Sequence, residues 1–214
     1  MIKIQLFLRD SIIWTEFLCA FIALWTFKKV RHSQWKWFSI YLIVIFLLEF
    51  TSNYLLVNYP TFKKDYYAYF VIPLEFIFFF WLYAHKSLKK RELFIIFTML
   101  YLLSFIPHKL FFEKTDIVYS VNYTFGCFLL MILVALEFNH QIQSDDILNY
   151  NKNKMFYINL GVVLFYIGTL PFFTFYGIFI KDMNMWNYYY TYFLIFNNVM
   201  YLLFATSLLW GKQK

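Results

Sequence analysis

The sequence predicts an all-α integral membrane protein, a bundle of seven transmembrane helices that forms one domain over residues 1–214. The first observation is composition: 62% of the residues are hydrophobic and only 14% are charged, whereas a soluble domain has about 25% charged residues. The second is a series of apolar runs, most of them as long as a helix must be to cross a hydrocarbon core of about 30 Å. The third is that no Gly/Ser-rich or acidic linker separates a second domain.

The apolar runs define the predicted helices in order. They cover residues 8–27, 37–58, 66–85, 92–107, 117–139, 155–179 and 188–210. The first follows a short tail and is expected to be retained, because no small-residue cleavage site precedes the apolar run. The fourth is the shortest, and Pro107 ends it.

Basic residues in the loops predict the orientation of the bundle, because positive residues favour the cytoplasmic side of a membrane. The side that would carry the C-terminus has twelve Lys and Arg residues, and the opposite side has seven. We therefore expect the N-terminus outside and the C-terminus in the cytoplasm. The abundance of Phe, Ile, Asn and Lys suits an AT-rich bacterial genome, so the expected location is a bacterial inner membrane.

Three acids, Glu16, Glu49 and Glu75, lie deep inside predicted helices. Counting 1.5 Å per residue from the helix ends places each within about two turns of the membrane midplane. A charge there costs roughly 3 kcal/mol on insertion scales, so such residues are functional-site hypotheses by default. A fourth acid, Glu137, lies at the inner end of the fifth helix and is interpreted as a solvated interfacial residue.

Two interpretations of the deep acids remain open. In the first, each acid is protonated and hydrogen-bonds a neighbouring helix, which only holds the bundle together. In the second, the acids and three asparagines at similar depth line a polar chamber that binds a small ligand, protons or a cation. No Lys, Arg or His lies in the central part of a predicted helix, so the chamber would have no internal counter-ion. The chamber residues would be Glu16, Glu49, Asn53, Glu75, Asn197 and Asn198.

The sixth predicted helix is unusual because it holds three of the five glycines of the chain and also Pro171. Proline removes a backbone hydrogen bond and glycine permits bending, so Gly168 and Pro171 are the predicted hinge. The alternative is close packing of bulky neighbours against these small residues.

Several classes of membrane protein are excluded by residues that they require. A retinal protein needs a lysine inside helix 7, and the run YYYTYFLIFNNVMYLLFATSLLW has none. A zinc hydrolase needs several deep histidines, whereas the four histidines lie at helix ends or in loops, without HxxxH or HExxH spacing. We expect no resident metal and no cofactor, and no recognisable nucleophile or phosphate-binding loop supports an enzyme. The net charge of +7 comes from loop lysines and does not indicate nucleic-acid binding.

The layout resembles the seven-helix sensor modules of bacterial membrane signalling proteins, some of which precede histidine kinases. The resemblance rests on the helix count, on Leu48-Glu49-Phe50 and Leu74-Glu75-Phe76, and on an aromatic helix 7 before a basic tail. It implies a sensor or regulatory protein. Because the chain stops at Lys214 with no output domain, a cytoplasmic or membrane protein partner is expected beside the lipid bilayer. The alternative function is a transporter or ion-conducting protein that uses the same carboxylates.

Overall fold

The computed structural model describes residues 2–54, 58–106, 118–144, 152–179 and 181–211. The prediction of an all-helical fold is confirmed, because these residues form helices and no β-strand. A short helical segment, Tyr176–Phe179, precedes the last long helix. The main helices are α1 (Ile2–Val30), α2 (Lys36–Tyr54), α3 (Pro60–Ser87), α4 (Arg91–Leu103), α5 (Val118–Gln143), α6 (Lys154–Thr174) and α7 (Met183–Trp210).

Five of these helices, α2, α3, α5, α6 and α7, are long and apolar enough to cross a membrane. The prediction of seven such helices is therefore met only in part. Helix α4 has 13 residues, which at 1.5 Å per residue span about 20 Å, less than a hydrocarbon core. Helix α1 is long enough with 29 residues, but Arg9 and Asp10 lie in its first half and Glu16 lies at its middle.

Several helices begin earlier than the apolar runs that predicted them, because polar side chains form their first turns. Asp182 caps α7 by accepting hydrogen bonds from the backbone N–H groups of Asn184 and Met185, at 2.9 and 3.3 Å. The predicted N-terminal tail is helical from Ile2. Its Gln5 donates to the backbone carbonyl of Asn187 at 3.1 Å, which ties this first turn to α7.

Helix α3 lies at the centre of the bundle, and its aromatic residues fill the core. Phe76, Phe79 and Phe80 are fully buried. The Phe79 ring contacts Tyr166 of α6 and Phe204 of α7, with centroid separations of 5.4 and 6.1 Å. Helices α4 and α5 pack against the other side of α3, and α1 packs between α2 and α7. Edge-to-face and tilted ring pairs therefore account for much of the packing.

Three segments of α3 and α6 have widened, π-helical turns: Tyr67–Val71, Trp81–Ser87 and Val163–Ile167. In each, a backbone N–H donates to the carbonyl five residues earlier, as Leu88 does to Tyr83 at 2.9 Å. The first segment comes just before Pro73, which lacks an N–H and cannot continue the α-helical ladder. Such turns occur frequently at functional sites, and two of the three adjoin the cavity described next.

Candidate functional site

A cavity of about 680 Å³ lies between α1, α2, α3, α5, α6 and α7. It is lined by the first half of α1, the end of α2, the first half of α3 and the second half of α6. It therefore occupies the half of the bundle that holds the N-terminus. Its lining residues of α5 and α7 are Tyr123, Phe193, Asn197, Met200 and Tyr201.

Five of the six predicted chamber residues line this cavity, namely Glu16, Glu49, Asn53, Glu75 and Asn197. They come from four helices and are distant in sequence, so only the folded bundle brings them together. The three carboxylates are close enough for their charges to interact. Asn198, the sixth predicted residue, is not in the cavity lining.

Glu75 is held by α6. The Tyr166 hydroxyl donates a hydrogen bond to Glu75 Oε2 over 2.9 Å. Tyr166 is itself fully buried and also interacts with Tyr41 of α2. The acid on the central helix thus faces the bundle interior, where hydroxyl groups from two other helices surround it.

Glu49 is held by α3, because the Tyr67 hydroxyl donates to Glu49 Oε2. Lys63, near the start of α3, donates to Asn53 Oδ1 over 3.3 Å and interacts electrostatically with Glu49. Asn53 is exposed, so this pair lies at the open end of the cavity. Among the described residues, a lysine therefore interacts with Glu49 but not with Glu16 or Glu75.

Glu16 is the most deeply buried of the three acids, with 3% of its surface exposed. The Tyr201 side chain of α7 interacts with its carboxylate. Its Oε2 is buried and has no hydrogen-bond partner among the described residues. Each acid is therefore matched with a tyrosine of a different helix, and Glu16 retains a spare acceptor.

Asn197 and Asn198 face different surroundings although they are adjacent. Asn198 Oδ1 accepts hydrogen bonds from the hydroxyls of Ser11 and Thr15, each at 3.1 Å, and its Nδ2 donates to the Leu8 carbonyl at 3.1 Å. Its amide is thus used to join α7 to α1. Asn197 instead lines the cavity, and its buried Oδ1 has no partner within the described part of the chain.

The mouth of the cavity includes residues that the sequence pattern did not single out. Arg9 and Asp10 line it and form an exposed ion pair with an N–O distance of 3.1 Å. Trp14, one turn further along α1, is 70% exposed and also lines the cavity. Arg9, Asp10 and Trp14 were visible in the sequence, but the face of α1 that each of them occupies was not.

The predicted hinge residues lie where α6 is interrupted. The Gly168 N–H donates to the Val163 carbonyl over 3.0 Å, and the Leu164 carbonyl instead accepts from the Tyr192 hydroxyl of α7 at 3.0 Å. A Cβ atom on Gly168 would collide with that hydroxyl. Pro171 stands in the first turn after the interruption, where its missing N–H removes no helical bond. The interruption of α6 therefore lies at Gly168 and Thr169, and Pro171 stands in the first turn of the segment that follows.

The interpretation of Glu137 as a solvated interfacial acid is wrong. Only 1% of this residue is exposed, and its Oε1 accepts a hydrogen bond from Gln141 Nε2 at 2.8 Å. Tyr83 of α3 is fully buried and close enough to interact electrostatically with it. Proximity to a helix end suggested solvent, but the packing of α3 against the end of α5 covers the carboxylate.

The carboxylates of the cavity are arranged unlike a metal site. Among the described residues, no group of three or more His, Cys, Asp or Glu side chains converges as ligands of one ion. Zinc and calcium sites that are built mainly from protein ligands bring several such side chains together, with bonds of about 2.0–2.6 Å. The acids instead stand apart on separate helices around a larger space.

No protein-family model, curated protein or solved structure matches this chain. The function must therefore be inferred from the residues of the cavity. They supply acceptor oxygens, tyrosine hydroxyls and aromatic rings around a space of about 680 Å³, which lies within the range of about 300–1,000 Å³ typical of small-molecule sites.

Proposed function

We propose that the chain is a polytopic membrane sensor or regulatory protein, whose cavity binds a small ligand from the outer side of a bacterial inner membrane. In this proposal the bundle has seven membrane-embedded helices, including α1 and the short α4. The N-terminus lies outside and the C-terminus lies in the cytoplasm. The resemblance to sensor modules supports a protein partner that receives the response.

The observation that carries the proposal is the one-sided cavity. Its lining comes from the half of the bundle that holds the N-terminus. Fully buried aromatic side chains fill the core next to the cavity and in the opposite half of the bundle. They include Phe38, Phe79, Tyr83 and Phe204. Close-packed rings of this kind leave no continuous path for solute. A chamber that is closed at one end suits binding better than conduction.

Basic and aromatic residues on the opposite side of the bundle support the proposed orientation. Lys36 lies over the Trp37 ring and Lys86 over the Trp81 ring, with Nζ to centroid distances of 5.3 and 5.2 Å. The two indoles contact each other edge to face at 6.4 Å. Tryptophan and lysine together are typical of a membrane interface, and an excess of lysine is typical of the cytoplasmic one.

The runner-up function is transport, and the interrupted helix α6 favours it. Discontinuous helices are common in secondary transporters, where their broken ends form the central site for substrate and coupling ions. The cavity, the carboxylates and the interruption at Gly168 would then serve a transported amine, cation or proton. The two functions differ in whether the cavity ever opens to the cytoplasm.

Thiol accessibility tests both functions in one experiment. Cys19 and Cys127 are buried and can be replaced by alanine, after which Asn197→Cys places a single thiol in the cavity. The matched control is Ala205→Cys, two turns further along α7, where the side chain is buried in the core. A membrane-impermeant thiol reagent is applied to oriented vesicles from each side in turn.

We expect the thiol of Asn197→Cys to react from the outer side only and the thiol of Ala205→Cys to remain unreactive from both sides. Reaction of Asn197→Cys from both sides would favour transport, and flux in proteoliposomes would then be measured. Absence of reaction from either side, in a variant that folds, would refute a ligand chamber. Reaction from the cytoplasmic side alone would overturn the proposed orientation.

A further inference from the structure

Two buried polar atoms in the cavity lack hydrogen-bond partners among the described residues. Among the described residues, Glu16 Oε2 and Asn197 Oδ1 have no hydrogen-bond partner, and only 3% of Glu16 is exposed. Both atoms are hydrogen-bond acceptors, and both residues line the cavity. Glu75 adds a carboxylate whose described partner is one tyrosine hydroxyl. The deep part of the cavity therefore presents hydrogen-bond acceptors, which a ligand with several hydrogen-bond donors would pair.

The balance of charge in the cavity leads to the same ligand chemistry. At its mouth, Arg9 pairs with Asp10, and Lys63 interacts with Glu49. Deeper in, Glu16 and Glu75 have tyrosine partners, and no basic residue of the described chain interacts with either carboxylate. Two carboxylates in a poorly solvated space repel each other, and a positively charged ligand would relieve that repulsion.

The walls of the cavity distinguish an organic cation from an inorganic one. Phe165 and Phe173 of α6, Phe193 of α7 and Tyr123 of α5 present aromatic rings to the same space as the acids. Rings of this kind bind the carbon body of a ligand and attract an ammonium group through their faces. The carboxylates within the described residues do not converge as metal ligands, and the volume exceeds that of a bare ion.

We propose that the ligand of this cavity is a small organic amine, whose ammonium group binds between Glu16 and Glu75 and whose carbon body lies against the aromatic rings of α6 and α7. An ammonium has three donors, and Glu16 Oε2, Glu75 and Asn197 Oδ1 are the acceptors available to them. Pairing with buried carboxylates makes these charge-assisted hydrogen bonds. The inference deepens the proposed ligand-binding function and rests on it.

Protection of the cavity thiol tests the amine directly. The protein without its two native cysteines carries Ile72→Cys, which places the thiol in the same cavity and keeps the three proposed acceptors, and it is reacted with the small neutral reagent methyl methanethiosulfonate. Three probes of similar shape are added in turn: 2-phenylethylamine, 2-phenylethanol and 3-phenylpropionate. Sodium and calcium chloride serve as inorganic cation probes at matched ionic strength. We expect the amine to slow the reaction at least ten-fold at saturation and the other probes to leave its rate unchanged.

Charge-removing variants identify the residues that hold the amine. Glu75→Gln and Glu16→Gln are made in the same background, since either one alone could fail to fold. Each is expected to raise the amine concentration for half protection about ten-fold or more, because an ionic partner of the ammonium is lost. The matched control is Glu137→Gln, which removes a buried acid outside the cavity and should leave protection unchanged.

The outcomes separate the two proposals. If the thiol reacts but the amine gives no protection, or the alcohol, carboxylate or inorganic cations protect equally well, the amine inference is wrong and the chamber remains. Protection that is unchanged in both Gln variants would also overturn it. If the thiol is unreactive in a folded protein, the ligand-binding function itself fails.

Discussion

Asn198→Ala should destabilise the bundle by about 2 kcal/mol. The wild-type amide makes three hydrogen bonds to α1, with Ser11, Thr15 and the Leu8 carbonyl. Interhelical hydrogen bonds in membrane proteins contribute about 0.6 kcal/mol each on average, which gives the total. The two hydroxyls would not be left without partners, because each shares its single hydrogen between Asn198 and a carbonyl of its own helix, with oxygen–oxygen distances to the carbonyl of 2.7 and 2.9 Å.

The free energy of unfolding would be measured by reversible denaturation with sodium dodecyl sulfate in mixed micelles. Asn197→Ala is the matched control, because it removes the same amide one residue away, where Oδ1 has no partner among the described residues. We expect this control to change the free energy of unfolding by less than about 0.5 kcal/mol. Equal destabilisation by both variants, or a stable Asn198→Ala protein, would refute the assignment of one asparagine to the α1 contact and the other to the cavity.

Three further predictions follow from packing, backbone bonding and orientation. Gly126→Ala would place a methyl group 2.7 Å from the Phe76 ring, which is fully buried, so we expect the free energy of unfolding to fall by about 1–3 kcal/mol in the same assay. Gly161→Ala has its nearest contact at 3.1 Å and should lower the free energy of unfolding less. The reverse order of the two variants would contradict the packing. Tyr192→Phe should lower the free energy of unfolding by about 0.6 kcal/mol, because the Leu164 carbonyl loses its donor; an unchanged value would mean that this bond contributes nothing. Alkaline phosphatase fused to the C-terminus should be inactive, since that end is predicted to be cytoplasmic, and activity would overturn the orientation.

The helices could be predicted from the sequence because an apolar run in lipid must pair its backbone N–H and C=O groups within itself, and an α-helix does this. The ends were less predictable. Helix α7 begins at Met183 rather than near residue 188, since Asp182 caps a polar first turn that hydropathy does not detect. Helix α4 ends at Leu103, which leaves it shorter than the predicted run over 92–107, and Pro107 itself lies outside the described residues.

The sequence predicted the depth of the candidate site residues in the bundle but not the direction in which their side chains point. Counting along the helices placed Glu16, Glu49 and Glu75 at similar levels, and they line one cavity. Which way a side chain points depends on helix rotation, and consecutive residues of a helix differ by about 100°. Asn197 and Asn198 therefore have equal depth and different surroundings. The tyrosine partners are also absent from any local pattern, because Tyr166 is 91 residues from Glu75 in the chain.

The hydroxyl of Tyr192 replaces a backbone donor, and this makes α6 and α7 mechanically dependent on each other. At the Leu164 carbonyl, either the N–H of Gly168 or the Tyr192 hydroxyl can serve as donor, and the structure has the second arrangement. Straightening α6 would restore its own N–H at that carbonyl and release the tyrosine. The Gly168 N–H would move from the Val163 carbonyl to the Leu164 carbonyl, while the Tyr192 hydroxyl would lose its acceptor, a net loss of one interhelical bond that costs about 0.6 kcal/mol. Asn197, five residues beyond Tyr192, lines the cavity, so this bond couples the interruption of α6 to the helix that forms one wall of the cavity.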